Sequence, residues 1–327
     1  MPRALIAIGG NTLLRAGEPA AVSTERSRLA DVARTLARLV SDGWRLVLTH
    51  GNGPQVGAEL LRSERAAAEA YPLPLDVCVA ATQGEIGVLL QQALGDAFGE
   101  HGLHHQAVTV LTQVVVSAED AAFRHPTKPI GPYYDAAAAR RRQHEGWQLV
   151  EMPPHGFRRL VASPEPILVV EQEAVRILSD RGFVVVTLGG GGVPVVRTPL
   201  GLRGVEAVVD KDLASALLAT ALDVDIFVMA TDVDRVYLDY GRPGARGLDA
   251  VHPKSLRHYA AAGAFPPGSM GPKVEAALRF VDAGGREAVI TSHERLVEAL
   301  QGRAGTHVVA APAEARASRI PTNEGKP

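Results

Sequence analysis

Residues 45–57 read Arg-Leu-Val-Leu-Thr-His-Gly-Asn-Gly-Pro-Gln-Val-Gly, and the fold class turns on this stretch. Leu46, Val47 and Leu48 form a short apolar strand, Gly51 and Gly53 permit backbone angles that other residues resist, and Pro54 suits the first turn of a helix. A strand, a glycine turn and a helix start therefore follow one another. Such a turn presents N–H groups at the positive end of a helix, where an anion binds. Taken alone, the stretch reads first as a tight strand-to-helix connection of an α/β protein, so the rest of the chain decides.

The pattern recurs on both sides. Upstream, Ala4-Leu5-Ile6-Ala7-Ile8 reads as a buried strand running into Gly9-Gly10-Asn11-Thr12, and a helix follows that Ser23 or Thr24 can cap and Gly43 ends. Downstream, a helix runs from Pro54 to about Ala70, where Pro72 and Pro74 break it, and a second covers residues 77–94. Residues 106–116 read as one β-branched strand, 167–179 as a helix and 183–188 as a strand that enters a third glycine turn, 189–192. Asp210-Lys211-Asp212 precedes a helix at 213–222, the strand 225–230 ends at Thr231-Asp232-Val233, and Gly268-Ser269-Met270-Gly271-Pro272-Lys273 opens a helix at 274–283. A strand at 287–290, a last helix and a last strand finish near Val309.

Strands alternating with helices predict a three-layer α/β fold with a mostly parallel sheet and ligands outside the carboxyl ends of its strands, where the glycine turns fall. Residues 119–165 interrupt the alternation with prolines, glycines, aromatics and arginines, including Arg140, Arg141, Arg142, Arg158 and Arg159. They read as a small subdomain or lid inserted into a single domain of residues 1–311, with Lys128 on the loop Pro126-Thr127-Lys128-Pro129-Ile130-Gly131-Pro132 and a loose tail at 312–327. The arginine clusters read as solvated or paired surface.

At 327 residues and a net charge of −2, the chain is enzyme-sized and lacks the footprint of a dedicated nucleic-acid binder. No apolar run reaches membrane length. The single cysteine, Cys78, excludes an intramolecular disulfide and, with no cationic-then-apolar leader at Met1, favours a reducing cytoplasm. Lysine occurs only at positions 128, 211, 254, 273 and 326, and asparagine only at 11, 52 and 323. Two of those lysines stand at helix starts and two of those asparagines inside glycine turns.

Several glycine turns, two helix-start lysines and an adjacent acid suit phosphoryl transfer, which needs donor and acceptor held in line and positive charge over the oxygens in transit. Turn N–H groups can hold phosphate oxygens, Lys211 and Lys273 can neutralise charge, and Asp212 can fix the lysines or a magnesium shell. The dinucleotide fingerprint and the P-loop both fail on spacing, and no G-x-S-x-G supports a serine nucleophile. His50 reads first as a structural strand-end residue, with acid–base chemistry as the alternative.

These motifs, in this order, resemble those of the carbamate kinases of the amino-acid-kinase family, and the likeness runs from the first strand to about Thr306. The resemblance implies a three-layer αβα fold with a protruding subdomain, a homodimer, and reversible magnesium-dependent phosphoryl transfer between ATP and carbamate, used toward ATP from carbamoyl phosphate and ADP in arginine fermentation. By that similarity Lys211 and Lys273 contact the moving phosphoryl and the nucleotide, Asp212 orients them, and Lys128 reaches the carbamate. Gly9, Gly10, Asn11, Gly51, Asn52 and Gly53 cradle the small substrate and the phosphoryl. The nucleotide falls to about residues 180–311, with Asp232, Tyr237 and Met270 in its pocket. The alternatives are a related kinase for another small carboxylate, and a catalytically silent nucleotide sensor.

Overall fold

The structure, a computed structural model, describes residues 1–10, 21–266 and 268–310. The expectations for Asn11 and for the tail at 312–327 lie outside the described residues. Eight strands form the central sheet among the described residues: β1 (Arg3–Ile8), β2 (Arg45–His50), β3 (Ala107–Thr109), β4 (Val184–Thr187), β5 (Ile226–Thr231), β6 (Ala250–Val251), β7 (Ala288–Ser292) and β8 (Thr306–Val308). Their spatial order is β6-β8-β7-β5-β1-β2-β4-β3, and every neighbouring pair is parallel except β7 and β8.

The apolar runs alternate between two cores. Ala4, Ile6 and Ile8 of β1, with Leu46 and Leu48 of β2, face a layer that contains Leu29, Leu36, Leu90 and Phe98 from the helices Val22–Ser41 and Leu75–Glu100. Leu5, Ala7, Val47, Phe227 and Met229 face the opposite layer, with Leu218 and Phe280 from the helices Lys211–Ala221 and Met270–Asp282. A sheet buried on both faces needs continuous rather than alternating hydrophobicity, which is what these strands carry. The result is a three-layer αβα sandwich.

Successive connections leave β1 toward β2 on one side and reach β5 on the other, so the strand order reverses at the carboxyl end of β1. In open parallel sheets that crevice is the ligand site. A second sheet joins Gly201–Gly204, Val193–Thr198, Gln113–Val115 and Leu168–Val169, and a third joins Lys128–Tyr134, Gly156–Val161 and Leu149–Met152. The third sheet sits on the helices Gly53–Ala66 and Leu75–Glu100 through Val56, Leu60, Val79, Ile130 and Val161. Its closest approach is backbone on backbone: a Cβ on Gly57 would lie 1.9 Å from Gly131 Cα.

Several boundaries differ from the sequence expectation. Residues 106–116 are two short strands in two different sheets, because the chain changes sheet at Thr112, whose N–H and carbonyl are both taken by the Gln83 amide. Residues 167–179 begin as the strand Leu168–Val169, and the helix there is Gln172–Asp180. The helix Val22–Ser41 starts before Ser23 and Thr24, so neither caps it; Ala21 holds the N-cap position. The helix after Pro54 stops at Ala66, and the next runs from Leu75 to Glu100, longer than 77–94. Lys273 lies in the first turn of a helix that already starts at Met270, with Pro272 tolerated at that turn.

Candidate active site

The three glycine turns converge on the end of β1. The Ile8 carbonyl accepts from Gly51 N–H at 3.1 Å and from Lys211 Nζ at 3.1 Å, tying turn 51–53 and the helix Lys211–Ala221 to one oxygen. Gly51 must lack a side chain, since a Cβ there would lie 2.9 Å from Gly10 N. Gly190, at φ +65°, lies flat on the Asn52 amide, and a Cβ would meet its Nδ2 at 2.2 Å. An L side chain at that position would be strained and would also displace Asn52.

Asn52 is the N-cap residue of the helix Gly53–Ala66 yet makes no side-chain cap. Its Nδ2 donates instead to Thr82 Oγ1 at 2.9 Å, and Thr82 spends its own proton on the Val79 carbonyl at 2.8 Å. The first-turn N–H groups of that helix are thus left without a side-chain acceptor from their own cap.

A cavity of about 420 Å³ opens at this end of the sheet, lined by Gly9, Gly10, Lys128, Lys211, Asp212, Asp232, Tyr237, Met270 and Lys273 among others. Nine of the sequence-derived candidates therefore share one space. Gly51, Asn52 and Gly53 are not in its lining; Gly51 packs directly on the Gly10 backbone. The rest of the wall includes Asp210, Arg235, Tyr240 and Ser269, which sequence reasoning did not assign.

Asp212 is the electrostatic centre. Its side chain is 6% exposed; Oδ2 accepts from Lys273 Nζ at 2.8 Å, and Oδ1 lies 3.1 Å from Lys211 Nζ. The Lys211 contact lacks hydrogen-bond geometry, so Oδ1 is buried with an open lone pair. Burial opposes the Asp212 charge, but the two ammonium groups outweigh it and hold the carboxyl well below the usual aspartate range. Burial pushes Lys211 down despite Asp212, whereas at Lys273 Asp212 and the further acids Asp210 and Asp232 outweigh burial and raise it. Two ammonium groups fixed on one carboxylate keep donors for a third, anionic party.

Asp210 performs two tasks that its place before a helix signals only in part. Oδ1 accepts from Asp212 N–H at 2.9 Å and Leu213 N–H at 3.3 Å, an N-cap, while Oδ2 accepts from Lys128 Nζ at 2.6 Å. This pair joins the third sheet to the main body at the cavity. Tyr237 donates its hydroxyl to Asp234 Oδ1 at 2.8 Å and packs its ring against Tyr240.

His50 is fully buried and absent from the cavity wall. Its Nδ1 lies 3.1 Å from the Gly51 carbonyl, and burial, with the nearby Lys211 charge, lowers its pKa to about 4. Between pH 6.5 and 4 the unfolded chain takes up a proton at His50 that the native state refuses, so stability must rise with pH across that window. Wild type is expected to lose up to about 3 kcal/mol more than His50→Gln between pH 6.5 and 4. Denaturant titrations at several pH values check this, and parallel stability curves for the two proteins refute a neutral His50.

The amino acid kinase family model matches residues 2–292. The carbamate kinase-like protein YahI of Escherichia coli (strain K12) is 45% identical over 310 residues, covering 93% of this chain and 98% of its own. Carbamate kinase of Thermococcus kodakarensis is 43% identical over 314 residues, covering 94% and 99%. Among solved structures, carbamate kinase from Giardia lamblia bound to citric acid has a TM-score of 0.90 at 37% identity, over 94% of this chain and 98% of that chain. The same enzyme bound to AMP-PNP has a TM-score of 0.87 at 37% identity, over the same shares of the two chains. The chain belongs to the amino acid kinase family, among its carbamate kinases and carbamate kinase-like proteins.

Proposed function

We propose that the protein is a carbamate kinase that transfers a phosphoryl group reversibly between ATP and carbamate. The observation that carries this is Asp212 holding Lys211 and Lys273 together in the cavity where β1 and β5 end. Toward ATP, a β-phosphate oxygen of ADP attacks the phosphorus of carbamoyl phosphate, the bond from phosphorus to the carbamoyl oxygen breaks, and carbamate leaves to decompose into ammonia and carbon dioxide. Lys211 and Lys273 spread positive charge over the oxygens in transit, and Asp212 keeps the two ammonium groups in place during the transfer. Lys128 serves the carbamate end, turns 9–11 and 51–53 hold the small substrate and the phosphoryl, and Asp232, Tyr237 and Met270 belong to the nucleotide side, within residues 180–311.

Among the described residues no group of three or more His, Cys, Asp or Glu side chains is placed to hold a metal. Asp212, whose buried Oδ1 has no hydrogen-bond partner, is the residue that would help hold a magnesium ion brought by the nucleotide, and the ion would supply charge neutralisation there. We further infer a cytoplasmic homodimer serving arginine fermentation, with residues 119–165 as a subdomain over the site. No helix among the described residues is long and apolar enough to cross a membrane.

A coupled assay is expected to record ATP formation from ADP and carbamoyl phosphate with magnesium. Absence of turnover in that mixture sinks the proposal. Turnover with other small acyl phosphates at equal efficiency replaces it with a broader acyl-phosphate kinase.

A further inference from the structure

Arg158 and Arg159 are neighbours on the strand Gly156–Val161, and their surroundings differ sharply. Arg159 pairs with Glu64 at 2.6 Å and stacks on Trp147. Arg158 has no carboxylate partner among the described residues; its Nε donates to the Gly131 carbonyl at 2.9 Å, and its guanidinium lies 5.4 Å from the centre of the Tyr133 ring. Burial lowers its pKa, and Tyr133 only partly offsets that. A largely buried guanidinium without a counter-ion is costly unless something anionic meets it.

Its direction says where. A Cβ on Gly53 would lie 3.8 Å from a terminal nitrogen of Arg158, so the free end of the fork faces the first residue of the helix Gly53–Ala66. There Asn52 has turned its amide to Thr82, leaving the first turn uncapped by its own side chain. The Gly131 carbonyl that anchors Arg158 belongs to the segment packed backbone to backbone on Gly57 of the same helix, which fixes the distance between guanidinium and turn. Along the sheet, Lys128 pairs in register with Val161, so the strand that carries Arg158 is hydrogen-bonded to the strand that delivers Lys128 to the cavity.

We propose that Arg158 is a further substrate-binding residue: its guanidinium takes an anionic oxygen of the carbamoyl phosphate or carbamate held at turn 51–53. This rests on the carbamate kinase reading for the identity of the anion. A planar guanidinium with a terminal nitrogen directed at the helix start suits a carboxylate or phosphate edge in a way a lysine does not.

The test measures ATP formation by wild type, Arg158→Ala and Arg158→Lys, together with their melting temperatures. Arg158→Ala is expected to raise KM for carbamoyl phosphate by about ten- to a hundred-fold, with KM for ADP within about two-fold and the melting temperature held or raised. Guanidinium ion should recover part of the loss in Arg158→Ala, and Arg158→Lys should recover little. An unchanged KM for carbamoyl phosphate, an equal rise for both substrates, or a lowered melting temperature with unaltered kinetics overturns the assignment. If wild type makes no ATP, the functional reading has failed, and calorimetry with inorganic phosphate decides for Arg158: binding to wild type that Arg158→Ala loses supports the anion site. Equal binding by the two proteins, or none by either, overturns it.

Discussion

Lys273→Ala is expected to slow ATP formation about 10²- to 10³-fold, the cost of removing one preorganised donor from a transition state that develops charge. The fold should survive, because Asp212 keeps Lys211 as its counter-ion and the buried charge stays balanced. The lysine sits in the first turn of the helix Met270–Asp282, whose packing rests on Val274, Ala277, Leu278 and Phe280 rather than on its own stem. The loss should fall mainly on kcat, since the donors that Lys273 keeps beyond Asp212 serve the moving phosphoryl more than the ground state. Steady-state kinetics alongside a thermal melt separate the cases. Native turnover removes Lys273 from the reaction, and a collapsed melt makes it structural.

Asp212→Asn is expected to be the most destabilising of these substitutions. It preserves shape but leaves two buried ammonium groups facing each other without the anion that joins them, a situation that costs about 3–5 kcal/mol when one partner of a buried pair is lost. Turnover should fall as well, because Lys211 and Lys273 lose their fixed spacing. The pH dependence has a definite sign. The native carboxyl titrates below the usual aspartate value of 3.8, so its contribution is complete above that value and disappears as the pH falls further. The gap in unfolding free energy between wild type and Asp212→Asn should therefore close below about pH 4. The double variant Asp212→Asn with Lys211→Met should recover part of the stability, as contacting charges couple. Full additivity would mean that the two groups do not interact.

Much of this was legible in the residues. Continuous apolar runs at 4–8, 46–48 and 226–230 announced strands buried on both faces, and lysines rare enough to count announced the cavity. What escaped was direction. Residues 106–116 carry one β-branched run, but nothing local says that the chain leaves one sheet for another at Thr112, where a tertiary hydrogen bond from Gln83 fixes the break. Asn52 stands in a turn that signals an anion, yet its amide leaves toward Thr82 and Gly190. Arg158 and Arg159 look alike in sequence; a strand sends successive side chains to opposite faces, and one found Glu64 while the other found no acid. Asp210 carried the Asp-before-helix signal of an N-cap, but its grip on Lys128, 82 residues away in sequence, could come only from the fold.

The place of β1 in the middle of the sheet sets a timetable. It precedes the other described strands of its sheet in the chain, and one of its two neighbours, β5, is separated from it by more than 200 residues. At about 5–20 residues per second, synthesis takes on the order of 10–40 s to cover the interval, during which one edge of a strand that is apolar from Ala4 to Ile8 lacks its neighbour. The cavity walls come from both ends of that interval and continue to Lys273, so no nascent chain ending before Lys273 can complete the site.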